Sequence, residues 1–506
     1  MKDNIIPNWI TYGILLITAF LFVFLFSCTT SPFYERYPFW FHDDSGIFQE
    51  MGVCLLQGGT PYVDLFDHKG PILWFIEAFG IWISPQWGLM VLQIIALLCS
   101  MILWYRSALL LTEKQILSII TTFAGLFFLL AFYERGNLCE EWSLPFISLP
   151  IYLFLKRWKT EPHSNQPIYN QTDALIIGLC VGIIAMIRLN NTAPLIGFAL
   201  WHFIRCIQQK EYRKIWTDIA LIIAGMAIIF IACSAFYLIK AGWSGVYEMI
   251  YGTFIFNFMY INGMEARYDI ITKLQFYIPP LGFPIIHIIS QINNKKTTSI
   301  NIPLIISYIV TLITLRGFCY GHYSIICVPL FILSICYFFD SSYSPLKSKI
   351  VSYIILCCII IECIRISIGP LDLLIYRFTK EPPHVERHEG FHRFVSSLSE
   401  EEQQSIYNAG LNHLGAGLFA DENIYQCNRI IYSTHVKLSN HLREYEATHG
   451  IKDLQPIWVL TQSPRPVATD EYLATRYTLT DSIPGGEFDP IWCWKRIDDN
   501  ISLESY

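Results

Sequence analysis

The chain has 506 residues, of which 53% are hydrophobic and only 15% are charged, whereas a typical soluble protein carries about 25% charged residues. The mean hydropathy of +0.41 excludes an ordinary soluble domain, and the net charge of -6 gives no sign of nucleic-acid binding. The 15 cysteines form no CxxC pair and no framework spacing, so we interpret them as small apolar residues of membrane spans.

Apolar segments recur along the first 370 residues. A membrane-spanning helix needs about 20 apolar residues, with a range of roughly 17–25. The first segment has no basic stretch before it and no clear cleavage site after it, which predicts a retained span rather than a removed signal peptide. About eleven spans are predicted, at residues 10–28, 87–105, 116–132, 142–155, 174–188, 193–206, 216–239, 274–289, 302–315, 323–339 and 350–366.

Lysine and arginine are concentrated in alternate loops between these spans. The positive-inside rule assigns those loops to the cytoplasm, together with the N-terminus. The same assignment predicts that the other loops and the C-terminal region lie outside. The outer loops are residues 29–86, 134–141, 240–273 and the turn at 316–322.

The stretch 62–84 looks like the start of a span, but it is too short to cross the membrane. If it crossed, the basic loops would fall on the outer side. We therefore predict an amphipathic helix at the outer interface, and Trp74 and Trp82 suit that depth.

The composition changes after about residue 366. The region becomes polar and contains Pro-Pro, Ser-Pro and Pro-Gly-Gly breakers. Short apolar runs at 428–435 and 457–462, with helical patterns at 389–398 and 439–448, predict a small α/β domain. The predicted fold is an all-α polytopic membrane domain, residues 1–370, with an extracytoplasmic α/β domain, residues 371–506.

The first outer loop contains an adjacent acidic pair, Asp43 and Asp44, beside an apolar stretch. Neighbouring carboxylates repel each other and lose solvation, so at least one becomes a better base for a hydroxyl proton. The alternative is a solvated acidic loop with no chemical role.

Further along this loop, Asp67-His68-Lys69-Gly70-Pro71 precedes the interfacial helix. Lys69 supplies a positive charge at the depth of lipid phosphates, and Pro71 suits a first helical turn whose N–H groups favour an anion. The alternative is a lysine that only anchors its helix at the interface.

Two more outer segments carry charges. Glu140 and Glu141 form a second acidic pair, while Arg188 and Arg316 end spans on the same side. Arginine near membrane depth is usually paired, so ion pairs with these glutamates and phosphate binding remain equal alternatives. For Asn257 and Tyr260, which could line a polar groove, a structural role is favoured.

Carboxylates, a lysine and arginines therefore converge on one predicted membrane face. This suits an enzyme that acts on a phosphate-bearing lipid headgroup.

The pattern G-x-P-Y-x-D-x-F-D-H-K-G-P at 59–71, after the acidic pair, resembles the glycosyltransferase C (GT-C) superfamily. More narrowly, the chain is similar to bacterial members of the dolichyl-phosphate-mannose protein mannosyltransferase family (glycosyltransferase family 39-like), to which lipid A aminoarabinose transferases are related. The segment 135–141 resembles a G-G-N-L-T-E-E pattern but departs from it at Arg135 and Cys139. The turn 320–323 resembles a Y-x-H-Y turn.

The resemblance implies a multi-pass protein of the bacterial inner membrane that moves a sugar from a polyprenyl-phosphate donor to a hydroxyl acceptor by one inverting displacement. It implies Asp44 as the catalytic base, with Asp43 as the less favoured neighbour. The residues implied for the donor phosphate are Lys69, His68, Arg188 and Arg316. Those implied for substrate contacts are Asp67, Glu140, Glu141, Tyr320 and His322. The acidic residues offer oxygen ligands for a divalent ion, but no His/Cys spacing supports a metal site, so no cofactor is assigned.

Two other functions remain open from the sequence. A transporter or flippase of a lipid-linked sugar would use the same charged groove, but no internal repeat supports it. A non-catalytic membrane scaffold would tolerate replacement of Asp44 and Lys69.

Overall fold

The computed structural model describes residues 6–30, 44–160, 169–263, 270–292, 301–315, 320–340, 346–379, 385–411, 413–463, 470–485 and 489–497. The α-helices are α1 (Asn8–Phe26), α2 (Asp44–Leu56), α3 (Pro71–Ile83), α4 (Gly88–Thr112), α5 (Gln115–Phe132), α6 (Cys139–Thr160), α7 (Gln171–Arg188), α8 (Ile196–Gln208), α9 (Tyr212–Ile250), α10 (Phe256–Gly263), α11 (Ile270–Ile292), α12 (Asn301–Leu315), α13 (Val328–Asp340), α14 (Leu346–Thr379), α15 (Val385–Ser396), α16 (Glu400–Gln403), α17 (His413–Asp421), α18 (Ser433–Leu438), α19 (Asn440–Thr448), α20 (Ile451–Leu454) and α21 (Glu471–Arg476). Two 3-10 helices cover Leu189–Leu195 and Gly321–Cys327, and a π-helix covers Tyr251–Ile255. The strands are β1 (Ile406–Ala409), β2 (Trp458–Thr461), β3 (Tyr477–Ile483) and β4 (Ile491–Arg496).

The predicted spans all fall on helices, which confirms the all-α polytopic fold. Three shorter apolar helices occur at Pro71–Ile83, Ile278–Ile289 and Asn301–Thr314. Within the described ranges, 7 stretches are long and apolar enough to cross a membrane: Asn8–Phe26, Gly88–Thr112, Gln115–Phe132, Gln171–Gln208, Tyr212–Tyr260, Gly321–Phe338 and Ile350–Ile375.

The longest apolar stretch, Tyr212–Tyr260, has 49 residues. As one straight helix it would measure roughly 70 Å, more than twice the hydrocarbon thickness of about 30 Å. Gly242, with a φ of 66°, breaks the helical backbone shortly after the predicted span 216–239. The expectation of a loop at 240–273 is wrong for its described part, which is helical up to Gly263 because its aromatic side chains bury one face.

Contacts divide the chain into two compact units. Unit 1 comprises Met1–Ser27, Met90–Cys233 and Glu265–Phe378, and unit 2 comprises Cys28–Leu89, Ser234–Met264 and Thr379–Tyr506. The first loop and the C-terminal region therefore belong to the same unit, although nearly three hundred residues lie between Leu89 and Thr379.

Unit 1 is a helical bundle with one apolar core. Its helices α7 and α9 approach each other closely through glycine. A Cβ on Gly178 would lie 2.3 Å from the Ile222 carbonyl oxygen, and one on Gly225 would lie 2.6 Å from the Leu179 nitrogen. Small residues allow this approach in membrane helices, where packing rather than water exclusion drives association.

In unit 2, α2 packs against α3. A Cβ on Gly52 would lie 2.7 Å from the Glu77 Cβ, so only glycine permits this approach. Trp82 is exposed as expected for an interfacial helix, but Trp74 is fully buried. Its ring packs 5.8 Å from Phe48 and 6.4 Å from Tyr62, which removes it from the interface.

The C-terminal part of unit 2 contains a mixed sheet in the order β1-β2-β4-β3. The pair β1–β2 is parallel, and the other pairs are antiparallel. Helices α15 and α17 supply Phe391, Phe394 and Phe419 to a core that includes Trp458 of β2. This sheet with covering helices confirms the predicted α/β composition.

Candidate active site

The acidic stretch singled out from the sequence lies between α2 and α3 in unit 2. Helix α2 begins at Asp44, and α3 begins at Pro71 with Gly70 as its N-cap, which confirms the predicted helix start. Tyr62 turns the connection with a φ of 68°. Its hydroxyl donates to the Lys69 carbonyl oxygen at 2.5 Å, which fixes the end of the loop just before α3.

Lys69 is shared between two carboxylates. Its Nζ lies 3.3 Å from Asp44 Oδ2 and 3.7 Å from Asp67 Oδ2. The lysine side chain is 5% exposed, whereas that of Asp44 is 34% exposed. The ammonium also lies 5.3 Å from the centre of the Phe48 ring. One buried cation thus faces one accessible and one buried acid.

Asp67 is the buried partner in this arrangement. Its Oδ1 lies 3.2 Å from His68 Nδ1 and 4.0 Å from His435 Nε2. Burial by itself would raise the pKa of Asp67, but the charges of Lys69, His68 and His435 hold that pKa well below its usual range. Asp67 is therefore a fixed negative charge that orients the surrounding cations.

Residues near the end of α9 and in α10 form one wall around His68. Tyr260 stacks on the His68 ring at 4.4 Å between centroids, and Asn257 Nδ2 donates to the His68 carbonyl oxygen at 2.8 Å. The π-helix Tyr251–Ile255 lies just before them, and such turns are frequent at functional sites. A structural role was favoured for Asn257 and Tyr260, and both hold the backbone or ring of a candidate site residue.

The C-terminal region supplies the opposite wall. Phe66 N–H donates to the Arg429 carbonyl oxygen at 2.7 Å, and Phe66 forms an isolated parallel bridge with Ile430. His435 of α18 is 1% exposed and packs edge-on against His68 at 5.2 Å. Sequence analysis missed His435. The only signal was the apolar run 428–435 that contains it.

Unit 1 carries the second acidic segment, and its arginine is paired. Arg188 Nη1 lies 2.7 Å from Glu140 Oε1, and the Arg188 guanidinium lies 4.1 Å from the centre of the Tyr323 ring. Of the two alternatives left open for this arginine, the geometry matches the ion pair with Glu140.

Glu141 is part of a structural network in unit 1. It is 2% exposed and accepts hydrogen bonds from the Tyr133 hydroxyl at 2.7 Å and from the Asn137 backbone N–H at 2.8 Å. Gln93 Nε2 donates to both carboxylate oxygens, at 3.2 and 3.1 Å. These bonds close the turn before α6, so the carboxylate has its partners within the protein.

His322 and Tyr320 also lie in unit 1. His322 Nδ1 lies 2.6 Å from Glu134 Oε2, and its backbone N–H donates to Glu134 Oε1 at 3.0 Å. The Tyr320 ring stacks on His322 at 5.6 Å. The predicted residues Asp43 and Arg316 lie outside the described part of the chain.

The sequence matches no protein-family profile and no curated protein sequence. Among solved structures it is similar to ArnT from Cupriavidus metallidurans, in the apo state and bound to undecaprenyl phosphate. Each alignment covers 96% of this chain and 98% of ArnT with a TM-score of 0.56, and identities are 11% and 10% respectively. The Archaeoglobus fulgidus oligosaccharyltransferase in the apo form aligns at a TM-score of 0.49, with 10% identity over 98% of this chain and 76% of that chain.

The chain has the GT-C fold. The likeness to ArnT therefore confirms the fold that the resemblance implied.

One group of side chains in unit 2 has the composition of a metal site. Asp67, His68 and His435 each offer one ligand atom, and these atoms lie within 4.8 Å of one another. A carboxylate and two imidazoles form a donor set that suits zinc. These three residues would hold such an ion, and sequence spacing alone could not bring His435 to the pair in the loop.

A second group, His202, Cys206 and Asp218 in unit 1, is already internally bonded. His202 Nε2 lies 2.8 Å from Asp218 Oδ2, and Lys214 Nζ lies 2.8 Å from the same oxygen. The Tyr169 backbone N–H donates to His202 Nδ1 at 3.2 Å. Both ring nitrogens are engaged, so this group ties α8 to α9.

Proposed function

We propose that this protein is a membrane glycosyltransferase that moves a sugar from a polyprenyl-phosphate donor to a hydroxyl acceptor. The reaction would take place on the outer face of the bacterial inner membrane, with the N-terminus in the cytoplasm and the C-terminal region outside. The observation that carries the proposal is the pairing of the accessible Asp44 carboxylate with the Lys69 ammonium at 3.3 Å. This pair combines a base and a phosphate partner in one loop.

In the proposed reaction, the donor phosphate takes the place of Asp44 beside Lys69. The released carboxylate then accepts the proton of the acceptor hydroxyl as its oxygen attacks the anomeric carbon. The bond between that carbon and the phosphate oxygen breaks, the configuration inverts, and polyprenyl phosphate leaves. Lys69 stabilises the charge that grows on the departing phosphate.

The test is release of free polyprenyl phosphate by the purified protein in detergent. Asp44→Asn removes the base and is expected to reduce turnover by on the order of 10²–10⁴-fold, and Lys69→Ala is expected to weaken donor binding as well. Matched controls are Asp453→Asn and Lys240→Ala, which change exposed residues of the same unit. The controls are expected to retain wild-type turnover.

Turnover that survives in folded Asp44→Asn would contradict the proposal. If the wild type leaves the donor intact but moves it across a liposome membrane, the protein is a transporter.

A further inference from the structure

Asp67 is the second carboxylate beside Lys69, the cation of the proposed site. Its Oδ2 lies 3.7 Å from Lys69 Nζ, and its side chain is only 2% exposed. A buried carboxylate attracts a nearby ammonium far more strongly than one in water does. If nothing else compensated this charge, Asp67 would compete with a donor phosphate for Lys69.

The other oxygen of Asp67 faces two imidazoles. One belongs to the neighbouring His68, at 3.2 Å, and the other to His435 of α18, at 4.0 Å. The C-terminal region therefore places a nitrogen beside the carboxylate that controls Lys69.

His435 is held in this position by aromatic rings. Phe256 packs edge-on against it at 5.1 Å and Phe66 at 5.9 Å, and Tyr432 packs edge-on at 5.2 Å. The ring is 1% exposed. These contacts fix the orientation of the imidazole beside Asp67.

Backbone hydrogen bonds also hold the C-terminal region beside the loop. The bond from Phe66 N–H to the Arg429 carbonyl oxygen joins the loop to the segment that leads into α18. Gln426 of this segment donates its backbone N–H to Glu50 of α2 at 3.1 Å. The C-terminal region is thus fixed both to the helix that begins with Asp44 and to the loop that ends with Lys69.

We propose that His435 is a positioning residue of the C-terminal region, which shares the charge of Asp67 and so leaves Lys69 available to a lipid phosphate. The inference deepens the proposed function and rests on it for the identity of the ligand. It assigns the C-terminal region a part in donor binding. Without the imidazole, Asp67 would hold Lys69 more tightly and the phosphate would bind less well.

The experiment compares four proteins for affinity toward undecaprenyl phosphate in detergent with EDTA, so that no adventitious ion replaces the imidazole. His435→Phe keeps the ring packing and removes the nitrogen, and we expect about a tenfold weaker affinity. His435→Gln restores a donor group, and we expect affinity within threefold of wild type. His392→Phe, at an exposed histidine of the same region, is the control and is expected to match wild type.

A double variant separates charge sharing from packing. Asp67→Asn removes the competing charge, so in that background His435→Phe is expected to have no further effect on affinity. Residues that act independently would instead show additive losses. Where transfer is measurable, His435→Phe is expected to raise the donor KM and to leave kcat within threefold.

Wild-type affinity in folded His435→Phe would overturn the inference, and so would equal losses in His435→Phe and His435→Gln. Binding does not require transfer, so the two proposals fail separately. A wild type that binds the lipid phosphate with the expected pattern but releases none from a donor contradicts only the proposed function. A wild type that binds no lipid phosphate contradicts both.

Discussion

The acidic turn of unit 1 and the acidic loop of unit 2 contain similar charged residues, but these residues are paired in different ways. In unit 1, Glu140 is paired with Arg188 and Glu134 is paired with His322, one basic side chain for each carboxylate. In unit 2 a single lysine faces two carboxylates, one of which is accessible. A closed pair stabilises a fold, whereas a shared cation can exchange one partner for a ligand.

The largest expected difference concerns turnover. Asp44→Asn is expected to reduce donor turnover by on the order of 10²–10⁴-fold, while the protein stays folded because Asp67 remains as a partner of the Lys69 ammonium. Turnover per folded molecule and the denaturation midpoint are measured on the same preparation. If turnover falls only in proportion to the amount of folded protein, Asp44 has a structural role. The two units would then not differ in the way described above.

The reverse result is expected for the pair in unit 1. Glu140→Gln leaves the Arg188 guanidinium without its carboxylate in a site where Glu140 is 2% exposed. Breaking a buried pair from one side costs about 3 kcal/mol or more, so we expect a lower denaturation midpoint with nearly unchanged turnover per folded molecule. Glu140→Gln combined with Arg188→Met is expected to recover part of the stability. A single variant that is fully stable but inactive would show that the pair belongs to the chemistry.

A third test uses a buried carboxyl of unit 2 that has no basic partner among the described residues. Burial raises the pKa of Glu50 from 4.5 to about 8. The folded protein then binds a proton that the unfolded chain releases above its ordinary pKa. The contribution of Glu50 to stability is therefore fully present below about pH 4.5 and is lost, by a few kcal/mol in total, as the pH rises toward about 8.

The measurement is the melting temperature in detergent at several pH values. Glu50→Gln carries no titratable group and is expected to remove this pH dependence, while Glu444→Gln, at an exposed position of α19, keeps it. An unchanged slope in Glu50→Gln would contradict the assignment.

The smallest expected effect is in the network around Glu141. Tyr133→Phe removes one hydroxyl that donates to Glu141 at 2.7 Å, while the ring contact with Phe22 at 4.9 Å remains. Loss of one hydrogen bond to a carboxylate costs roughly 1.5–3 kcal/mol, and the donors from Gln93 and Asn137 keep the cost at the low end. The cost is measured as the change in the free energy of unfolding in a denaturation experiment. If Tyr133→Phe loses turnover but keeps full stability, the hydrogen-bond network around Glu141 has a functional role.

Local patterns predicted local features well. Apolar length placed the spans on helices, and Gly70-Pro71 marked the start of α3 because proline suits the first helical turn. The loop motif brought together residues that are close in sequence, so the sequence alone was enough to group Asp67, His68 and Lys69.

Contacts between distant segments could not be predicted in this way. The pairing of Arg188 with Glu140 depends on how α6 and α7 pack, which hydropathy does not encode. Trp74 was expected at the interface because its neighbours are apolar, but Phe48 and Tyr62 cover it. His435 had no motif of its own, and its position depends on backbone pairing with the loop.

The hydrogen bond between Gln426 and Glu50 joins residues 376 positions apart. At a synthesis rate of 5–20 residues per second, the second partner emerges roughly 20–75 seconds after the first. During that time the nascent chain contains Asp44 and Lys69 without the segment that braces them. Chains that end before residue 426 are therefore expected to insert in the membrane without a completed candidate site. Quality control that senses the last part of the chain would also monitor whether the site has been built.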